Sequence, residues 1–376
     1  MKKSFSLKDH LFNKESVTYL SELFWRSDPS FKKEEFIAQV MTKLKKLELK
    51  ERIVWIAEVL EEYLPKDFKK ASKQIQKALP APLDPLKTDD DFGSFIFAPL
   101  GEYVVRNGLS KEHLELSLQT IHELTQRFSM EDAIRYFINA YPKETLQELE
   151  EWSRHEHYHV RRLVSEGTRP LLPWSGRISL EVTQPVPFLD ALHADGTRYV
   201  TRSVANHLND ISKKHPKLVV DLLAKWKKEG KQDLKELQWM TRHALRTLVK
   251  QGNKEALSLL GYAHDPKIKV EQFSVKPASK KIAPGEFLSF SFTITALENT
   301  ELMVDYIIDF VKAKGGTKPK VFKIKKVRLK KGESVSIMKN HRLLADATTF
   351  ALHLGKHTVT LQINGKKFDS ADFVIR

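Results

Sequence analysis

Three arginines recur at an interval of 40 residues, Arg162, Arg202 and Arg242, and each opens a similar helical phrase. The phrases are VRRLVSEG (160–167), TRSVANHL (201–208) and TRHALRTL (241–248). Self-similarity at this period, in helical text, marks stacked helix pairs of the HEAT kind, each burying its apolar face against its neighbours. In such a stack a basic residue repeated in register forms a stripe of positive charge on the concave surface, suited to a phosphate backbone. One arginine alone would more simply cap or brace its own repeat. Three in register on a basic chain favour the stripe.

The chain is basic: 63 Lys and Arg stand against 48 Asp and Glu in 376 residues, a net charge of +15. That surplus favours a polyanionic partner, and nucleic acid before membrane, because no amphipathic basic helix or lipidation signal accompanies it. The absence of cysteine excludes disulfides, thiolate zinc sites, iron–sulfur clusters and cysteine nucleophiles. The N-terminal MKKSFSLKDH lacks an apolar h-region, and no apolar run approaches the length of a membrane span. The expectation is a cytoplasmic, nucleoid-associated monomer.

Residues 1–267 read as helical. ERIVWIAEVLEEYL (51–64) and KETLQELEEW (143–152) place apolar residues at helical spacing. PAPLDPLKTDDDF (80–92) reads as an exposed loop, and RPLLPWSGRISLEVTQPVPFLD (169–190), with prolines at 170, 173, 185 and 187, as an irregular excursion of functional length. After Asp265-Pro266 the period changes to two. VEQFSVKP, GEFLSFSFTITAL, LMVDYIIDFV, KVFKIKKVRL, ESVSIMKN, GKHTVTLQIN and KKFDSADFVI alternate apolar and polar residues between turn signals such as Asn364-Gly365. About seven short strands over 268–376 predict an immunoglobulin-like β-sandwich. The fold class is therefore an all-α HEAT-like repeat solenoid (1–267) followed by a small all-β sandwich (268–376). Residues 312–331 carry ten Lys or Arg and no acid, which fits either a lysine-guarded edge strand or a second nucleic-acid contact.

HEHYH (155–159) matches H-E-x-x-H, the pattern that sets two histidines one helical turn apart for zinc, with a glutamate as general base. The surroundings argue against it. Trp152-Ser153 looks like a helix end, Arg161 and Arg162 would bring positive charge to the metal, and Pro170 and Pro173 interrupt the downstream segment that would have to carry a third ligand. No metal or other cofactor is expected, and a zinc peptidase using His155, Glu156 and His159 is the third reading.

LTQRFSMEDAIRYFI (124–138), EEWSRHEHYHVRRLVSEGTRPLLPW (150–174), RSVANHLNDISKKHP (202–216) and DFGSFIFAPLGEYVVRNGL (91–109) together resemble the AlkC branch of the HEAT-like alkylpurine DNA glycosylases. Some members of that family carry an immunoglobulin-like domain after the helices, in keeping with the change of period here. The resemblance implies metal-free excision of cationic N-alkylated bases, such as 3-methyladenine and 3-methylcytosine, from double-stranded DNA. It also implies that the lesion is not drawn into a deep pocket. The alternative is a non-catalytic scaffold that binds DNA or an acidic protein.

Hydrolysis of an N-glycosidic bond builds positive charge on the sugar, which a carboxylate near C1′ stabilises while orienting or deprotonating a water. Glu156 and Asp210 are the first candidates: Asp210 shares a helix face with Arg202 and Asn206 at i, i+4 and i+8, and Glu156 stands near the start of the preceding repeat's helix. Glu131 comes after them, mainly on the resemblance. Each could equally be a cap or an ion-pair partner. Arg161, Arg162, Arg169, Arg202, Asn206, Arg242 and Arg246 are candidate DNA contacts, with Arg162 expected to grip phosphate and Arg161 to brace Glu166. Trp152, Tyr158, Trp174 and Trp239 are candidate contacts to the lesion or its sugar through cation–π geometry, although packing is the commoner fate of a tryptophan.

Overall fold

The structure, a computed structural model, describes residues 5–86, 92–345 and 351–376. The acidic end of the expected 80–92 loop and Asp91 of the resembling 91–109 run lie outside the described residues. The helices are α1 (Leu7–Leu11), α2 (Lys14–Ser27), α3 (Lys33–Leu44), α4 (Leu49–Tyr63), α5 (Phe68–Ala78), α6 (Ala98–Gly108), α7 (Leu114–Thr125) and α8 (Glu131–Ala140). They continue as α9 (Pro142–Trp152), α10 (Tyr158–Gly167), α11 (Val186–Leu192), α12 (Arg198–Ile211), α13 (Pro216–Glu229), α14 (Leu234–Ala244), α15 (Arg246–Lys250) and α16 (Lys254–Leu259). The strands are β1 (Ile268–Lys276), β2 (Lys281–Ile282), β3 (Phe287–Ala296), β4 (Thr300–Val311), β5 (Thr317–Leu329), β6 (Ser334–Arg342), β7 (Gly355–Ile363) and β8 (Lys366–Ile375). No described helix is long and apolar enough to cross a membrane.

The elements pack as two compact units, Met1–Ile211 with Trp226–Ala244, and Ser212–Lys225 with Leu245–Arg376. In the first unit α4, α6, α8, α10, α12 and α14 form a layer in which each helix packs on the next. Helix α9 lies against α8 and α10, and α11 against α10 and α12, as a second layer. This is the stack of helix pairs that the 40-residue register predicts, and Arg162, Arg202 and Arg242 fall on the successive helices α10, α12 and α14. Apolar stripes hold the layer: Val160, Leu163 and Val164 of α10 and Val200, Val204 and Leu208 of α12 are fully buried. Each such side chain contributes about 1.5–3 kcal/mol relative to exposure.

Local chemistry sets where α10 begins. His157, in extended conformation, accepts a hydrogen bond through its ring from the His159 amide at 3.2 Å, so the helix starts at Tyr158. At its other end Gly167 lets α8 approach closely, since a Cβ there would stand 2.6 Å from Ile134 Cγ2. The excursion after this helix is irregular from 169 to 185, as its prolines predict, and its last residues wind into α11.

In the second unit the strands form two sheets, β1-β3-β6 and β2-β8-β7-β4-β5. Seven strands coincide with the alternating segments of the sequence. The eighth, β2, has two residues, too few to alternate, and pairs parallel with β8. Phe290, Phe292, Tyr306, Ile308 and Phe373 fill the core between the sheets. Among the described residues the lysine-rich β5 pairs only with β4, at the edge of its sheet; its charges discourage strand-to-strand association there.

The β7–β8 turn passes through Asn364 and Gly365, both at positive φ (46° and 78°), the conformation that Asn-Gly hairpin turns favour. A Cβ on Gly365 would lie 2.4 Å from the Cα of Gly252, itself at φ +75°. Gly365→Ala is expected to destabilise this unit by about 2 kcal/mol or more through steric conflict and backbone strain. Denaturant unfolding of the full chain followed by tryptophan-independent circular dichroism at the β band checks this.

Candidate functional site

Five charged side chains converge where α8, α10 and α12 meet in the first unit. Glu131 opens α8, Arg162 and Glu166 stand one turn apart on α10, Arg169 comes just after that helix, and Asp210 lies near the end of α12. Glu166 is the hub. Its Oε1 accepts from Arg169 Nη1 at 2.7 Å and lies 3.7 Å from Arg162 Nη2, while its Oε2 accepts from the Ser203 hydroxyl at 2.6 Å. Arg169 also donates from Nε to Asp210 Oδ2 at 3.0 Å. Arg162 donates to the Ser129 hydroxyl at 2.6 Å, lies 3.6 Å from Glu131 Oε2, and rests its guanidinium 4.3 Å above the centre of the Tyr199 ring.

Burial sets the electrostatics. Glu166, Arg169 and Asp210 are each 6 or 7 % exposed. Burial pushes the Glu166 carboxyl up, but Arg162, Arg169 and the Ser203 hydroxyl together hold it below its ordinary value. Burial also pushes the Tyr199 phenol up to about 12, against the pull of Arg162, so its hydroxyl keeps its proton. Behind the cluster His207 is completely buried, with Nδ1 3.0 Å from the Ser165 carbonyl oxygen; burial and Arg169 push it down to about 3, and it is neutral.

Glu131 differs from the other two acids. Its side chain is 26 % exposed, and its Oε2 makes no hydrogen bond with the described residues, since 3.6 Å from Arg162 is an ion pair too long to be one. The seam thus holds two guanidiniums and three carboxylates, of which Glu131, with its Oε2 buried against Arg162, has the most exposed side chain.

Several expected residues take other places. Glu156 lies in the turn before α10 with its carboxylate exposed, outside the seam, because α10 begins two residues later than a helix carrying Glu156 inward would need. The same boundary parts His155 from His159: the first precedes the helix and the second is buried within it, so the one-turn geometry of a zinc-binding pair is not formed. The place expected of Arg161, beside Glu166, is taken by Arg162. Arg162 faces Glu166, as i, i+4 spacing on a helix dictates, whereas Arg161 Nε is bound to Asp195 at 2.5 Å and its Nη1 to the carbonyls of His155 and Glu156. Arg169, expected at phosphate, is buried between Glu166 and Asp210.

Along the 40-residue register Arg162 and Arg202 are both partly exposed, Arg202 near Tyr199 and Phe92, and Arg242 is exposed. Asn206 accepts from His243 Nε2 at 2.8 Å. Arg246 begins α15 in the second unit.

Of the aromatic candidates, Trp152 and Tyr158 are buried, with 6 and 1 % exposed, and pack in the core rather than facing a ligand. Trp239 is covered on its faces by the Arg198 guanidinium at 4.0 Å and the stacked His243 ring at 4.9 Å. Trp174 is the opposite case. It is 75 % exposed, with φ at +67°, a conformation costly for a tryptophan, and its carbonyl accepts from Lys50. Tyr199 and Ser203 were not singled out from sequence, and Glu166 was named only as a residue to be braced. The signal was present for Glu166, which stands four residues after one arginine and three before another.

Residues 269–376 match the family model described as "Uncharacterised protein YhaZ, C-terminal Ig-like domain". The whole chain is 35% identical over 369 residues to the "Uncharacterized protein YhaZ" of Bacillus subtilis (strain 168), covering 97% of this chain and 98% of that protein. It is also similar to the solved structure of Pseudomonas fluorescens alkylpurine DNA glycosylase AlkC bound to DNA containing an abasic site analog. That likeness has a TM-score of 0.86 and 34% identity, over 99% of this chain and 100% of the other.

Because the folded state holds Glu166 below its ordinary value of 4.5, the stability it contributes is fully present above that pH and is lost as pH falls through the lower folded value. Glu166→Gln is therefore expected to destabilise the chain at pH 7, by about 3 kcal/mol for a broken buried pair. The difference from the unsubstituted protein should shrink in acid below the glutamate range. Thermal unfolding of both chains across pH 3–7, taken as roughly the span over which glutamate titrates, measures it.

Proposed function

Because the chain belongs to the AlkC-type family that includes YhaZ, we propose that it is a DNA glycosylase that removes alkylated, positively charged bases from double-stranded DNA. The observation that carries this reading is the full-length likeness to AlkC, a glycosylase solved on abasic-analog DNA. The charged seam fits the chemistry. An N-alkylated base already carries positive charge, so cleavage of the N-glycosidic bond sends the bonding pair to the base nitrogen and leaves the base neutral. The sugar becomes oxocarbenium-like, and water adds at C1′ and loses a proton, leaving an abasic site.

In this reading Glu131 is the carboxylate that stabilises the sugar cation and receives the water's proton, because its side chain, 26 % exposed, is the most open to solvent of the three. Asp210, bound to Arg169, and Glu166, bound to both arginines, supply fixed negative charge behind it. Arg242, exposed, and Arg202, partly exposed, contact phosphate, and the exposed indole of Trp174 lies against the DNA. With Glu166 and Asp210 packed away from solvent, the lesion is read at the rim and not within an enclosed cavity. The chain acts as a monomer and needs no metal.

Release of 3-methyladenine and 3-methylcytosine from alkylated duplex in the presence of a strong chelator tests the proposal. Release that survives chelation supports it. Binding without release leaves a scaffold, and loss on chelation revives metal chemistry at His155, Glu156 and His159. Glu131→Gln is expected to lower the single-turnover rate by about a hundredfold while leaving DNA affinity within about threefold, whereas Glu156→Gln leaves both unchanged. Arg202→Ala and Arg242→Ala should each weaken binding and reduce the slope of affinity against salt by about one.

A further inference from the structure

Arg135, in the middle of α8, is 2 % exposed and makes no ion pair with the described residues. Its guanidinium is spent instead on three backbone carbonyls. Nε donates to Gly176 at 2.9 Å, and Nη1 donates to Gly167 at 2.9 Å and to Arg169 at 2.7 Å. These carbonyls span the last residue of α10 and the two ends of the turn that leaves it. Carbonyls at a helix C-terminus have no partner within the helix and favour a cation, and a planar fork holds several at fixed angles where an ammonium would not.

The residues between the three anchors are the functional ones. Arg169, whose backbone Arg135 grips, is the residue that ties Glu166 to Asp210. Trp174 stands in the same segment at positive φ, a conformation that persists only where the surroundings impose it. Further holds come from Lys50, which donates to the Trp174 carbonyl, and from Asn139, which donates to the Arg177 carbonyl at 2.9 Å and accepts from the Ser179 amide at 2.8 Å. Lys50 and Asn139 bind at exposed positions. Arg135 alone among these three grips from beneath, in the protein interior.

We propose that Arg135 is a positioning residue for base excision: its buried guanidinium, through three carbonyls, fixes the 167–176 segment so that Arg169 holds the carboxylate seam and Trp174 is presented outward. The inference rests on the glycosylase reading for its catalytic consequence, and on geometry alone for its structural one. Arg135 touches neither substrate nor reacting atoms.

Two measurements on the full chain test it. In hydrogen exchange of the free protein, Arg135→Gln should speed exchange of amides in 168–180 by about tenfold or more, with the β-sandwich amides as protected as before. At saturating enzyme the single-turnover excision rate should fall by about ten- to a hundredfold while the DNA dissociation constant moves by less than about threefold. Arg135→Lys, which keeps the charge but not the fork, should recover part of both, and it carries the same measurements if the glutamine variant does not fold. Unchanged exchange in 168–180, or an excision rate within twofold (a ratio of about two) of the parent, overturns the proposal. If the parent itself releases no alkylated base, the glycosylase reading fails, and the exchange measurement still decides the role of Arg135.

Discussion

The bridging of two arginines by one buried carboxylate holds the helical unit's polar seam together. Glu166 sits between Arg162 and Arg169, with Ser203 closing its second oxygen. Without that carboxylate, two guanidiniums would face each other in a dry interior, where repulsion and desolvation act together. With it, α8, α10 and α12 acquire a common charged joint. Glu131 is drawn to Arg162 and Asp210 to Arg169, so the outer carboxylates take their places from the inner one. An apolar joint of the same volume would hold the helices as well or better. It would not place negative charge at the rim, where the proposed chemistry needs it.

The segment after α10 shows how irregular backbone is made definite. Prolines at 170 and 173 end the helix and leave its terminal carbonyls without partners. Arg135 satisfies them from the neighbouring repeat. Rigidity in this loop therefore comes from side chains reaching across helices, and the exposed, backbone-strained Trp174 depends on that support. Loops held in this way commonly carry function because a scaffold fixes them while their tips remain open to a partner.

Much of the architecture was legible in one dimension. The 40-residue spacing of Arg162, Arg202 and Arg242 corresponds to helices stacked in succession, because a repeat that buries itself only on its neighbours must preserve its spacing. The period-two text after Asp265 corresponds to seven of eight strands, and β2 escaped only because two residues carry no period. The site was less legible. Glu156 was favoured on a helix boundary that falls two residues later, and Trp152 and Tyr158 on chemical suitability, although they are buried. The pairing of Arg162 with Glu166 was open to inspection, since i, i+4 neighbours on a helix face one another whatever surrounds them.

The sequence by itself determined the periodicities, and with them the helical stack, the sandwich and the surplus of positive charge, because these stem from local spacing and composition. Only the tertiary structure decided which charges are buried and paired, which arginine faces solvent, and which of the three carboxylates keeps part of its side chain open to it. The reason is physical. Arg169 meets Asp210 across 41 positions and Arg135 meets Gly176 across the same separation, and the free energy of a charge depends on what packs around it, which no local pattern records.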